Sequence, residues 1–401
     1  MIRSAKTESG ALLLLVAGAK GAVASTLAAA VAVMQHDPAV VRPSLTTGHS
    51  FSFLGPLEAT RLAGWDSSEE RFTAAIQRHG VIPESIWKPN APELDRIQAR
   101  RAPAPTDDLP TQVEKLSRDI ADFKSEYSRA RVVFVNLLPA APQRNFTDCR
   151  SISELYTQAE AGFMPDLAYA LAAVAAGVPV VNFTPNPVEI PVLLDEAVRQ
   201  RVPVAGRDGK TGQTYLKVVL ASALKARCLT IDGWYSLNIL GNADGANLMD
   251  PGRAAEKLSN KTSLLDEILE YKVGENYPAP THKVHIDYYP PRGDAKEAWD
   301  AIDFKGMFGL PMSMRINLLG RDSILAAPLA LDLARWAAVL QAAGRAGAVP
   351  ELGFYFKKVI GESPPLTFQD QLTSLARLER ECHEKITAGG IGHRAGPTDL
   401  I

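Results

Sequence analysis

Cysteine is scarce. The 401 residues hold three, Cys149, Cys228 and Cys382, far apart and odd in number. That pattern argues against a disulfide framework and a Cys-x-x-Cys zinc site, and for a reducing compartment. An excess of one charge is also missing. Lys and Arg total 43 against 45 Asp and Glu, a net of −2, which gives no electrostatic case for nucleic acid or an anionic membrane. Long hydrophobic runs are absent: no stretch approaches the ~18 uninterrupted apolar residues of a membrane span. Leu12–Val16, preceded by Arg3 and Lys6, has the outline of a signal peptide. Gly18 and Lys20 break it at once, so a buried strand and a cytoplasmic protein are expected. Seven histidines form no His-Glu-x-x-His. His282-x-x-His285 lies in a strand-like stretch with no third ligand in sight, so no metal is expected.

What is present is ample apolar content, 46%, and room for two or more domains or one large α/β unit. Ala11–Ala17 is wholly apolar, as a central parallel strand should be. Gly18-Ala-Lys-Gly21-Ala22-Val23 follows, then an Ala-rich helix to about Met34. Strand, glycine turn and helix form either a nucleotide-binding start or an ordinary βα turn. The spacing GxxGxxA departs from GxGxxG, and no Lys-Ser/Thr closes a Walker loop. Further strands are expected at Val132–Leu138, Val178–Phe183 and Val202–Gly206, with helices at Thr111–Tyr127, Leu167–Ala176 and Val188–Gln200 between them. Alternation of this kind predicts a doubly wound parallel sheet. Residues 96–111 are charged and Pro-rich and read as an exposed connection.

The second half carries the chemistry. Thr211-Gly212-Gln213-Thr214 stands at the entrance of a helix and offers amides, hydroxyls and a positive dipole end, either to a phosphate or simply as a cap. Asn238-x-Leu240-Gly-Asn242-x-Asp244-Gly-x-Asn247 is rich in residues that bond their own backbone, and reads as an ordered turn. Asp250-Pro251 opens a helix, Asp as cap and Pro in the first turn. Lys257 and Lys261 lie four apart on it, hence on one face. They are either a solvated face or, if buried, two amines that lower each other's pKa. Strands are expected at Lys283–Tyr289 and Ser313–Leu318, and a long apolar helix at Ala326–Ala343.

These segments, in this order, resemble the inositol-phosphate synthase family (myo-inositol-1-phosphate synthase). The resemblance rests on the Asn238–Leu248 run with Lys257-x-x-x-Lys261, on Asp208-Gly-Lys-Thr-Gly-Gln-Thr214 against the family's DxxxSGQT, and on Gly293-Asp294-Ala-Lys296 against GDSK. It also rests on Asp322-Ser323-x-Leu325-Ala-Ala-Pro328 against EDSLLAxP, on Leu352–Lys357 against LSYWLK, and on Gly64-Trp65-Asp66. It implies a Rossmann-like doubly wound sheet with an inserted α+β catalytic and oligomerisation domain, the first at 1–213 completed by 326–401, the second at 214–325. It implies NAD, held by Gly18, Gly21, Ala22, Val23, Asp66, Asp208, Asn242, Asp244, Asp322 and Ser323. It implies a hexose 6-phosphate held by Thr211, Gly212, Gln213, Thr214, Asn238 and Leu240. Lys257, Lys261, Lys296, Lys357, Asp294 and Asp322 become the catalytic set. The reaction implied is an isomerisation, glucose 6-phosphate to inositol phosphate by oxidation, enolisation, aldol closure and reduction, in a homotetramer. Leu138–Pro142 departs from the family's polar segment, which keeps open a five-membered ring from fructose 6-phosphate; a plain NAD dehydrogenase and a non-catalytic binder are further alternatives.

Overall fold

A computed structural model describes residues 10–142, 146–159 and 165–388, except the side chains of 165 and 255–263. The apolar runs become a seven-stranded sheet. Its strands are β1 (Leu12–Ala17), β2 (Arg61–Asp66), β3 (Gln98–Arg101), β4 (Arg131–Asn136), β5 (Val180–Asn182), β6 (Pro203–Gly206) and, late in the chain, β11 (Gly347–Ala348). The order is β3-β2-β1-β4-β5-β6-β11, with every pairing parallel. Strand order reverses between β1 and β4, the switch point at which open α/β sheets bind ligands.

β1 is buried on both faces, and its two-residue period divides the core. Leu12, Leu14 and Val16 join the cluster formed with the helices Ala22–Met34, Asp322–Ala342 and Phe368–Ala388. Leu13, Leu15 and Ala17 join the cluster under Leu109–Glu126, Pro165–Ala175 and Pro191–Arg199. Helices on both faces of a parallel sheet give the doubly wound architecture expected.

A second, four-stranded sheet holds β7 (Thr230–Leu240), β8 (His282–Tyr288), β9 (Ala295–Lys305) and β10 (Pro311–Arg321) in the order β10-β9-β7-β8. β9 runs antiparallel to both neighbours, while β7 and β8 are parallel. The helices Gln213–Ala226 and Pro251–Leu269 cover one face through Val218, Ala221, Leu265 and Ile268 against Trp234, Ile302 and Phe304. The helix Asp322–Ala342 is long and apolar enough to cross a membrane by composition, but 78% of its apolar window is buried in the fold.

Two expectations need correction. The stretch read as one polar turn is the end of β7 followed by a short helix, Ala243–Asn247. Pairing with β8 and β9 overrides the low strand propensity of Asn238, and Asn242 caps the helix by accepting from the Gly245 amide at 3.0 Å. The stretch 96–111 contains β3, paired to β2 at the sheet edge, where charged residues are tolerated because one side meets solvent. β9 itself went unread. Elsewhere the expected elements stand, with ends displaced by a few residues.

Candidate functional site

Two chain crossings build the site. The chain leaves β6 of the first sheet, turns through 207–212, and enters a helix that packs under the second sheet. It leaves β10 of the second sheet and enters at Asp322 a helix that buries itself against the first. The residues of both crossings therefore meet between the sheets.

The first crossing is held by backbone pairing with the segment that carries Lys357. The Lys210 amide donates to the Tyr355 carbonyl at 2.7 Å, and the Lys357 amide to the Asp208 carbonyl at 2.8 Å. That pairing delivers Lys357 Nζ to Asp208 Oδ1 at 2.5 Å, with both side chains buried. Lys210 donates its amine to the Gly353 carbonyl at 3.0 Å and to Gln371 Oε1 at 2.7 Å. Burial pulls its pKa down to about 7. In the second crossing, Asp322 Oδ1 accepts from Thr211 Oγ1 at 3.1 Å and from Lys296 Nζ at 3.2 Å. Lys296 stands on β9 opposite both Leu240 and Gly320. Ser323 Oγ donates to Asp294 Oδ1 at 2.7 Å. Burial raises the Asp294 pKa, the Ser323 bond opposes it, and the charge of Asp322 adds to it.

Gly212 sits in close quarters: a Cβ there would meet the Leu318 side chain at 3.1 Å, and that side chain would have to shift. The helix that follows, Gln213–Ala226, has no side-chain cap, which suits an anion at its N-terminus. Thr214 is buried there. Asn238 and Leu240 face inward from β7, both buried, and Asn238 Nδ2 donates to the His285 carbonyl at 3.4 Å.

At the other edge, Gly18 has φ +74, and a Cβ on it would lie 3.1 Å from the Leu137 carbonyl oxygen. The helix Ala22–Met34, which begins with Ala22 and Val23, has no side-chain cap at Gly21. Asp66 ends β2 and reaches this loop, accepting from the Lys20 amide at 2.7 Å and the Ser68 amide at 2.8 Å. A tight glycine turn, open amides and a carboxylate at the end of the second strand fit a dinucleotide's pyrophosphate and ribose. The expected spacing of about 20 residues failed here because short 3-10 turns between Pro38 and Ala59 precede β2.

Thus Thr211, Lys296 and Asp322 form one cluster, Asp208, three residues before Thr211, pairs with Lys357, and Asp294 and Ser323 make a third contact. The chain turns towards the glycine loop nearby, where His79 bonds the Lys20 carbonyl at 2.9 Å and feels the charge of Asp294. Asn242 is committed to its helix cap, and Asp244 lies in that helix. Lys257 and Lys261 lie on the helix Pro251–Leu269, capped by Asp250 and with Pro251 first, as expected; their side chains fall outside the described residues. His282 and His285 stand three apart on β8, hence on opposite faces. His282 meets Lys217 Nζ at 2.8 Å, while His285 packs on Tyr235. Among the described residues no group of metal-ligating side chains occurs.

Sequence reading missed a buried polar network at the C-terminal ends of β4 and β5. Asn136 and Asn186 both donate to Asp166 Oδ2, at 2.7 and 2.8 Å, and Asn182 donates to Glu189 at 2.8 Å. Burial raises the pKa of Asp166 and pushes Glu189 up to about 7. Asn186 also donates to the Pro139 carbonyl and accepts from the Ala141 amide, so it fixes the departing segment beside Gly18. Asparagine closing each of two apolar strands, VVFVN and VVN, was the available signal.

A family model described as myo-inositol-1-phosphate synthase matches residues 212–323. An inositol-3-phosphate synthase 1 of Bacteroides thetaiotaomicron is 40% identical over 267 residues, 65% of this chain and 61% of that protein. The chain spans 52–61% of the length of the curated relatives it matches. Among solved structures, an inositol-3-phosphate synthase from Caenorhabditis elegans superposes with a TM-score of 0.82 at 21% identity, over 94% of this chain and 86% of that one. A myo-inositol-1-phosphate synthase-related protein from Thermotoga maritima gives 0.73 at 19% identity, over 93% and 98%. The match of sequence over residues 212–323 and of fold across both sheets agree in likening the chain to the inositol-phosphate synthases.

Proposed function

We propose that the protein is an isomerase that cyclises glucose 6-phosphate to a myo-inositol phosphate, with NAD as a recycled cofactor and no net redox. One observation carries the reading. Thr211, which borders the 212–323 match, and the lysine Lys296 within it converge on one carboxylate, Asp322. The relatives' names support the substrate class.

NAD, if held there, would supply reversible hydride transfer at carbon 5. Gly18, Gly21, Ala22 and Val23 would receive its pyrophosphate, Asp66 its adenosine ribose, and Asp208, Asn242, Asp244, Asp322 and Ser323 its nicotinamide end. Thr211, Gly212, Gln213 and Thr214 would hold the sugar phosphate, with Asn238 and Leu240 against the carbons. Lys357, held by Asp208, and Lys257 would face the carbon-5 oxygen, where a cation in a dry site stabilises the oxyanion of the enolate. Lys261 and Lys296 would bind phosphate or relay protons, with Asp294 and Asp322 setting their positions.

The domain division would fall at 1–213 with 326–401, and 214–325. A homotetramer would use the outer face of the second sheet, where Tyr235, Trp299 and Leu319 are exposed. A cytoplasmic location completes the reading. The experiment is product identification by NMR after incubation with NAD and each hexose 6-phosphate in turn. A six-membered cyclitol phosphate from glucose 6-phosphate supports the proposal. A five-membered ring from fructose 6-phosphate, or no product, overturns it.

A further inference from the structure

The floor beneath the proposed phosphate cradle is a buried aspartate that no motif singled out. Asp300 lies on β9, facing inward, and is 6% exposed. Its Oδ1 accepts from Trp234 Nε1 at 2.7 Å and from Ser236 Oγ at 2.6 Å, both from β7. Its Oδ2 accepts from Gln213 Nε2 at 3.0 Å. A carboxylate only accepts, so the amide nitrogen of Gln213 must point at Asp300, into the sheet. Gln213 is the first residue of the helix whose N-terminus lacks a side-chain cap.

Lys217 lies on the same helix, one turn beyond Gln213, buried over the Trp234 ring and bonded to His282. Burial pulls its pKa down to about 8, and the charge of Asp300 opposes that fall. A buried carboxylate under an anion site would repel the anion if its charge stood alone. Here three donors and a lysine on the same helix accompany it.

We propose that Asp300 is a positioning residue of the phosphate cradle: it pins the Gln213 side chain to β9, so that the helix entrance presents its backbone amides and the Thr214 hydroxyl to the phosphate, and the Gln213 side-chain amide does not reach it. This rests on the sugar-phosphate reading above. The fixed floor explains how a cradle at the start of a helix keeps its geometry before substrate arrives. Preorganisation of this kind lowers the cost of binding.

The test separates the cradle from the chemistry. Affinity for inorganic phosphate, read by calorimetry on the full chain, reports the cradle without turnover; KM and kcat for glucose 6-phosphate report it in catalysis. Asp300→Ala frees Gln213 and should weaken phosphate binding roughly tenfold, the worth of one charge-assisted hydrogen bond. KM should rise in proportion, with kcat changed less and NAD affinity unchanged. Asp300→Asn keeps an acceptor for Trp234 and Ser236, and a flipped Gln213 amide can pair with it, so most of the affinity should return. That variant also serves if Asp300→Ala does not fold. The pair Gln213→Glu and Asp300→Asn swaps the two chemistries. Gln213→Glu alone sets carboxylate against carboxylate and should weaken phosphate binding further than Asp300→Ala; adding Asp300→Asn should recover part of it. Phosphate affinity and KM unchanged in folded Asp300→Ala, or no recovery in the double variant, would overturn the assignment. Wild-type protein that binds phosphate through this floor yet turns over no hexose phosphate would count against the proposed reaction and leave Asp300 its role.

Discussion

The pair Asp208 and Lys357 shows what a single residue contributes here. The two are 149 positions apart, and no spacing rule could have joined them; resemblance named each, and only folding set them 2.5 Å from each other. A buried pair is costly to break, because the survivor keeps a charge out of water. Lys357→Ala should cost about 3–5 kcal/mol of stability and about 10²–10³ in kcat. Adding Asp208→Asn should restore most of the stability but none of the activity. Denaturant unfolding and steady-state kinetics on both variants decide this; recovered activity in the double variant would remove Lys357 from the chemistry. Lys210 gives a pH dependence. Its folded pKa is about 7 against an ordinary 10.5, so above pH 7 the unfolded chain binds more protons than the folded one. Its contribution to stability therefore rises with pH between those values. Melting temperatures of wild type relative to Lys210→Met should climb from pH 7 towards 10; a flat difference contradicts the shift.

Elements were legible where both faces of a strand are apolar. β1, β4 and β5 announced themselves, as did the helix opened by Asp250 and Pro251. β9 did not, because its inward face carries Asp300 among Ala298, Ile302 and Phe304 while its outward face carries Trp299. The buried carboxylate and the exposed tryptophan both break the alternation on which reading depends. The strand-ending Asn238 and Leu240 were hidden by the same rule in reverse, polar residues held in a strand by pairing. The glycine turn is a sharper case. Gly18 needs φ +74 and a close approach to Leu137. Gly18→Ala should cost about 1–2 kcal/mol in backbone strain and weaken NAD binding, while phosphate binding at Gln213–Thr214 stays near wild type. Equal loss at both ligands, measured by calorimetry, would show that the loop acts on the whole fold.

At the scale of the molecule, the second sheet has two faces with different fates. Its inward face is covered by helices and carries Lys296, Asn238 and Asp300. Its outward face leaves Tyr235 44%, Trp299 49% and Leu319 68% exposed. Wild-type protein is expected to be a tetramer by light scattering. Trp299→Glu combined with Leu319→Lys should shift it to smaller species at micromolar concentration. An unchanged mass would place the interface elsewhere. Sequence composition could not show this, since it records how much apolar surface exists and not which face a strand turns outward.

In the proposed reaction, oxidation and reduction occur on one substrate held between the two sheets. Glucose 6-phosphate deuterated at carbon 5, incubated with a trace of unlabelled NAD, tests it in one reaction. A cyclic phosphate of unchanged mass that retains the deuterium at the reduced carbon is expected, formed over many turnovers without lasting NADH absorbance. Deuterium accumulating in NADH alongside an open-chain ketone, or released to water, would contradict it.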